Sequence, residues 1–261
     1  LSGHFQVTDR VRFELRGPDA VRYLNGQVSI DISRLTPGKA RPACLLNAKG
    51  KLCALLQVWR SNDSLVVEGP AELAENIQAR LERYIIADDV ELLPIPLPQP
   101  LYHLIALAQP KAQEGPACQG RSAALNTANP ALAIERLGLF GIDSQEKPTD
   151  LREFSPEEIE LLRILHGVPI WGRELSEDTL PQEARLEAHA VDFDKGCYVG
   201  QENTARMNWR AKVNRRLVVV PLAASDPVRQ RVAYPDIDLA VDHRRVEDIR
   251  PEWRPGWLDG N

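Results

Sequence analysis

Apolar residues change period several times along this chain, and the changes outline its elements. Val7 to Leu15 alternates imperfectly and stops at Gly17-Pro18, which predicts a strand followed by a turn. Pro18 suits the first position of a helix, so Asp19 to Leu24 reads as a short one. Asn25-Gly26 is expected to end it with a left-handed cap. Two apolar runs, Ala43 to Leu46 and Leu52 to Leu56, flank Asn47-Ala48-Lys49-Gly50 and predict a β-hairpin. Ser61-Asn62-Asp63 is a turn and Ser64 to Glu68 a strand. Pro70 to Ala87 has helical spacing, with Leu73, Ile77 and Leu81 on one face and Tyr84 and Ile85 extending it. Asp89 to Leu93 reads as a strand. Pro94, Pro96, Pro98 and Pro100 then exclude helix and central strand, so this stretch is expected to be an extended connector. A subdomain break is placed near 94–100.

Leu101 to Ala108 opens a second β-containing unit. Gln109 to Asn129 is rich in Ala, Gly, Gln and Pro and reads as a surface loop, with Cys118 exposed in it. Ala131 to Leu137 is a candidate strand. Ser155-Pro156-Glu157-Glu158 is a capping-box start for a helix that continues to His166. His166 reads as a C-terminal cap or surface histidine. Val218 to Pro221 begins a strand, and Ile237 to Val241 is the last clear alternation before a polar tail with Trp253 and Trp257. No internal repeat or heptad is present.

Composition narrows the class. The 261 residues are 43% apolar and 26% charged, as in a globular chain of two or three subdomains. A net charge of -5 argues against a broad nucleic-acid footprint, so no direct nucleic-acid partner is expected. Arg206, Arg210, Lys212, Arg215 and Arg216 nonetheless cluster, either as a solvated element end or as an anion site. No apolar run reaches the roughly 18 residues of a membrane span, and no basic-then-apolar leader is visible. Cys44, Cys53, Cys118 and Cys197 form no C-x-x-C, which predicts no metal site and fits a reducing cytoplasm. Cys44 and Cys53 lie in apolar runs and are expected in the core.

The densest chemistry is Asp194-Lys195-Gly196-Cys197-Tyr198-Val199-Gly200-Gln201-Glu202, followed by Asn203-Thr204-Ala205-Arg206. Glycines on both sides of Cys-Tyr-Val predict a tight loop that holds Cys197 in a fixed attitude. Lys195 stands two residues before the thiol, and Arg206 falls in the first turns of a following helix. Positive charge and a helix N-terminus both favour thiolate. Cys197 is therefore a candidate reactive thiol, set against the alternative of a small buried residue in a Gly-flanked turn.

K-G-C-Y-x-G-Q-E resembles the signature of the YgfZ-type folate-binding proteins, relatives of the glycine-cleavage T protein, an aminomethyltransferase. Tyr23 to Ile32 is similar to the F-L-x-G-Q-x-T-N-D-V segment of that family, with Ser29 and Ile30 in place of Thr and Asn. The hairpin around Asn47 to Gly50 is similar to L-N-x-x-G-x-x-x-x-D-L. Arg163 to Gly172 resembles L-R-x-x-x-G-x-P. Leu180 to Glu187 resembles x-P-x-E-x-G-L-E, with Arg185 at the Gly. Trp209 to Leu217 resembles R-G-x-V-N-R-R-L, with Ala211 at the Gly.

The resemblance implies an α+β, aminomethyltransferase-like fold: two ferredoxin-like subdomains over residues 1–215 around a central opening, then a shortened β-barrel-like segment over 216–261. It implies tetrahydrofolate or a derivative as cofactor. Glu183 is the pterin-gripping carboxylate, Arg210 and Lys212 the partners of the glutamate tail, and Asn25 a further contact. Gly196, Tyr198, Gly200, Gln201, Glu202 and Arg206 complete the signature loop, with Glu202 and Arg206 as an i,i+4 pair. It implies an accessory role in iron-sulfur cluster assembly or repair, with assembly or client proteins as partners and tRNA modification through them. The alternative is a tetrahydrofolate-dependent aminomethyl or one-carbon transferase. Against that stands Ala54, with Leu55 next, where the aminomethyltransferases carry an Asp on the second hairpin strand. A methyl or isobutyl group cannot accept a proton. A third reading is a scaffold of the same shape that binds no folate.

Overall fold

The computed structural model describes residues 2–106, 132–136, 139–210, 213, 215–221 and 239–244. In chain order the elements are β1 (Ser2–Gln6), β2 (Arg10–Arg16), α1 (Ala20–Gln27), β3 (Arg41–Leu46), β4 (Leu52–Ser61), β5 (Ser64–Pro70), α2 (Ala74–Glu82), β6 (Glu91–Ile95), β7 (Tyr102–Ala106), β8 (Ala133–Arg136), β9 (Leu139–Ser144), α3 (Pro156–Leu165), α4 (Gln201–Arg210), β10 (Arg216–Pro221) and β11 (Leu239–Arg244). One antiparallel sheet has the order β3-β4-β5-β2-β6, a second β1-β7-β9-β8, and β10 pairs with β11. The mixture is α+β, as expected.

The first sheet packs one face against α1 and α2. Phe13, Leu15, Tyr23, Leu24, Ala54, Leu56, Val58, Val67, Ile77 and Leu81 form its core. Burying each large side chain there contributes about 1.5–3 kcal/mol. On β4, Leu52, Ala54, Leu56 and Val58 are buried and alternate with half-buried Cys53, Leu55 and Gln57, the period of a strand with two unequal faces. The hairpin forms where the sequence places it, with Gly50 at φ +75.

Helix α1 runs to Gln27, through Asn25 and Gly26, and no left-handed cap forms at that pair. The Asn25 side chain is used otherwise: its Oδ1 accepts from Ile32 N at 2.9 Å. Buried Gln27 and Val28 carry the chain straight from helix into extended backbone. Leu73, Ile77 and Leu81 are buried as their spacing predicts, but a 3-10 turn (Ala71–Leu73) precedes α2, which stops at Glu82. Tyr84 and Ile85 still pack on the core. The β-branched pair Ile85-Ile86 favours leaving the helix there. Strand β6 takes in Pro94 and Ile95, beyond the expected Asp89 to Leu93. It is an edge strand, where a missing N–H is tolerated.

Strands β1 and β9 have no counterpart in the hydrophobic pattern. Strand β1 precedes β2 in the chain yet pairs with β7 in the second sheet, from Ser2 opposite Ala106 to Gln6 opposite Tyr102. Helix α3 begins at the expected capping box, Ser155 with Glu158, and His166 closes it. The stretch 109–129 with Cys118, and most of 216–261 apart from β10 and β11, lie outside the described residues.

The sheets meet through charge as well as apolar contact. Trp59 and Val66 of the first, with Ala40 just before β3, share a cluster with Ile134 of the second. Beside it, Arg136 on β8 gives Glu68 on β5 two hydrogen bonds of 2.7 and 3.1 Å and Asp143 on β9 two of 2.7 and 3.2 Å. Arg12 on β2 bonds Glu68 at 2.9 Å and Asp143 at 3.3 Å, and its guanidinium lies 5.2 Å from the Trp59 ring. His103 Nδ1 lies 3.0 Å from Asp143 Oδ1. Glu68 is only 1% exposed. Burial pushes both carboxyls up, but charge and hydrogen bonds from Arg136 hold Glu68 low, and hydrogen bonds from His103 and Arg136 hold Asp143 low. In a hydrophobic pattern such charged strand residues look solvated, so the pattern gives no sign of this network.

Candidate functional site

The loop 194–200 is built against the hairpin turn. Gly200 adopts φ +87, and a Cβ there would lie 2.5 Å from Asn47 O and 3.1 Å from Gly50 Cα. Only glycine permits both the angle and the approach. Gly196 is different, because a Cβ there would meet nothing within 4 Å and its φ is not positive. The turn is braced by Asn47 Oδ1, which accepts from Lys49 N at 2.9 Å and Lys51 N at 3.2 Å. Helix α4 then docks on it: Asn203 Nδ2 donates to Lys49 O at 2.7 Å. Gln201 Oε1 accepts from Tyr198 N at 3.3 Å, so its side chain closes the loop onto the helix start. Tyr198 is buried among Cys44, Leu46, Leu52, Ala184 and Val191.

Cys197 is exposed, whereas Cys44 is buried and Cys53 half-buried. Lys195 is buried and engaged elsewhere than with the thiol. Its ammonium donates to the carbonyls of Asn25, Val28 and Ile30 at 2.6, 2.7 and 2.6 Å, and lies 5.0 Å from the Tyr198 ring. Burial lowers its pKa to about 8, against the pull of Asp31 and Asp192. Its geometry thus serves the segment 25–30 rather than the sulfur. Glu202 and Arg206 are both exposed and make no ion pair among the described residues.

A second set of bonds joins the same pieces. Ser29 Oγ donates to Ala190 O while accepting from Cys44 N, Asp192 N donates to Ser29 O at 2.9 Å, and Asp31 N donates to Asp192 Oδ2 at 2.7 Å. Arg41 clasps Asp192 with two bonds of 2.9 and 2.8 Å. Burial raises the Asp192 carboxyl, but Arg41 and the Asp31 amide outweigh it and hold it low. Asp192 and Arg41 are 151 residues apart and carry no local signal that sequence reading could have used.

Glu183 lies in a turn. Its Oε2 accepts from Leu180 N at 2.9 Å, and its carbonyl accepts from Leu217 N at 2.7 Å. Gln182 Nε2 donates to Thr204 O at 2.9 Å, which fastens this turn to α4. Gln182 Oε1 and Glu187 Oε2 are buried acceptors without a partner among the described residues. Arg185 holds φ 60, the left-handed region that the glycine of the related motif enters freely. The structure therefore joins the Glu183 turn, the Cys197 loop, α4 and the hairpin in one body, with Asn25 attached through Lys195. Arg210 ends α4, but its side chain and all of Lys212 lie outside the described residues.

The expected carboxylate position on β4 is apolar on both faces. Ala54 is fully buried in the first-sheet core, and Leu55, on the opposite face, packs on the cluster that holds Tyr198, beside which Trp171 and Phe193 also lie. By strand alternation Leu55, not Ala54, faces the Cys197 loop. Among the described residues no group of three or more His, Cys, Asp or Glu is disposed to hold a metal, and no helix is long and apolar enough to cross a membrane.

These layers define the fold of an aminomethyltransferase. The chain superposes on the glycine cleavage system aminomethyltransferase T of Bartonella henselae with a TM-score of 0.68 at 18% identity, covering 85% of this chain and 67% of that one. No family model matches the chain. It is 30% identical over 252 residues to the tRNA-modifying protein YgfZ of Pectobacterium carotovorum, covering 89% of this chain and 74% of that protein. It is also 30% identical over 224 residues to the protein of that name in Yersinia pseudotuberculosis, covering 78% of this chain and 66%, about two thirds, of that relative's length. The chain belongs to the YgfZ family.

Proposed function

We propose that this protein binds a reduced folate at the Glu183 turn and acts as an accessory factor in iron-sulfur cluster assembly or repair in the cytoplasm, not as an aminomethyltransferase. The observation that carries the folate reading is the half-buried Glu183 carboxylate: Leu180 N fixes its Oε2 at 2.9 Å, and no hydrogen bond among the described residues engages its Oε1. A carboxylate held in this way can accept further hydrogen bonds. The aminopyrimidinone edge of a pterin offers N–H donors, the complement of a carboxylate. The residues present therefore fit the group: Glu183 would hold the pterin edge. Folate would supply the one-carbon-carrying ring system, and this chain's own residues would bind and orient it.

Against the transferase reading stands the apolar face of β4. Neither Ala54 nor Leu55 can take a proton or pair with an amine. The accessory role, its iron-sulfur assembly or client partners, and the link to tRNA modification rest on the family resemblance and on the names of the relatives.

Calorimetric titration with tetrahydrofolate, beside Glu183→Ala, tests the reading. Saturable binding by the wild type that is lost in a folded Glu183→Ala variant is expected. No heat at saturating ligand would overturn the folate reading. A glycine-cleavage assay on the wild type separates the two roles, and turnover would overturn the accessory one.

A further inference from the structure

The carbonyls of Asn25, Val28 and Ile30 converge on one point, and the ammonium of Lys195 occupies it with bonds of 2.6, 2.7 and 2.6 Å. The three acceptors match the three hydrogens of –NH3+, and the ring of Tyr198 covers another side at 5.0 Å. Four further bonds tie the same two stretches: Val199 N to Gly26 O at 3.1 Å, Asp192 N to Ser29 O at 2.9 Å, Asp31 N to Asp192 Oδ2 at 2.7 Å, and Ser29 Oγ to Ala190 O. Lys195 is thus the central pin between residues 25–32 and 190–199, and Cys197 hangs on that pin two residues away.

We propose that the Asn25, Val28 and Ile30 carbonyls form a built ammonium-sized cation site, filled by the protein's own Lys195, and that Lys195 is the positioning residue that fixes the exposed Cys197. A cage of carbonyl dipoles recognises a compact cation and not the aliphatic stem that delivers it. Truncating the side chain therefore leaves an empty site that free ammonium can refill, whereas an apolar substitute of equal length fills the channel and leaves the carbonyls unpaired. The site does not depend on folate, so its failure and the failure of the folate reading are separable.

The test uses the full chain with Lys195→Ala and Lys195→Met, and the probes are ammonium chloride, with sodium chloride and tetramethylammonium chloride at equal ionic strength. Amide hydrogen exchange follows residues 25–32 and 190–199, with the second sheet as internal reference. Iodoacetamide labelling read by peptide mass spectrometry follows Cys197. In Lys195→Ala, exchange in both stretches should rise at least tenfold and Cys197 labelling at least fivefold. Ammonium, and neither control salt, should bring both back toward wild type. Lys195→Met should show the same losses without rescue. Exchange and labelling unchanged in Lys195→Ala would overturn the positioning role. Losses that sodium and tetramethylammonium repair equally well would overturn the cation site. If Lys195→Ala does not fold in plain buffer, refolding yield in ammonium against sodium decides instead: recovery in ammonium alone supports the site, and equal failure in both overturns it.

Discussion

Two glycines of one loop should answer the same substitution in opposite ways. Gly200→Ala places a methyl group 2.5 Å from Asn47 O, 2.9 Å from Leu46 Cβ and 3.1 Å from Gly50 Cα. None of these can move like the end of a flexible side chain. The Asn47 turn is held by its own side chain and by Asn203 on α4. The backbone at φ +87 adds about 1–2 kcal/mol for any residue with a Cβ, and overpacking adds about 1–3 kcal/mol. Reduced freedom of the unfolded chain returns about 0.4–1 kcal/mol. The net loss is about 2–4 kcal/mol, or roughly 5–15 °C in Tm for a chain of this size. Gly196→Ala meets open space at an ordinary φ and should stay within about 0.5 kcal/mol of wild type. Urea unfolding with an unchanged slope, checked by calorimetric Tm, measures both. Equal losses at the two positions, or a neutral Gly200→Ala, would refute the view that this loop is shaped by its contact with the hairpin.

The thiols should separate by accessibility: iodoacetamide should label Cys197 well before Cys53 and Cys44, because burial pushes Cys44 up to about 12 and also raises Cys53. Peptide mass spectrometry after brief exposure reads the order. Removing one partner of the buried inter-sheet network should be costly, with Glu68→Gln losing about 3–5 kcal/mol in urea unfolding at neutral pH. The folded pKa values of Glu68, Asp143 and Asp192 are depressed, so their contribution is present above the unfolded carboxylate range and is lost as pH falls through the folded values. Tm should therefore hold from pH 7 to about 5 and drop below about 4, less steeply in Glu68→Gln. Ala54→Asp buries a carboxylate in the core and should abolish soluble expression, whereas Leu55→Asp, on the half-buried face, should leave a folded protein by circular dichroism.

What could be read from the chain was what is local. The hairpin, the apolar face of α2 and the Ser155 capping box follow from period and capping, because their partners lie within a few residues. No left-handed cap forms at Asn25-Gly26: α1 runs through both residues, the Asn25 side chain accepts from Ile32 N, and its carbonyl accepts from Lys195, 170 positions away. Lys195 illustrates the limit at the site. Its neighbour in sequence is Cys197, but its hydrogen bonds go to residues 165 to 170 positions away. The glycines of the loop are visible in the sequence as a pair, yet only the hairpin's approach distinguishes Gly200 from Gly196.

The placement of β1 bears on how the chain reaches this form during synthesis. Residues 2–6 leave the ribosome before the whole first sheet but find their partner only when residues 102–106 have followed. The sheet built from residues 10–95 is complete by then. A nascent chain thus carries an unpaired strand throughout the period in which its first sheet can form, and such edges invite wrong pairing. Cutting at the 94–100 connector would leave the same strand stranded on the wrong piece, so the two sheets cannot be separated there into self-sufficient halves.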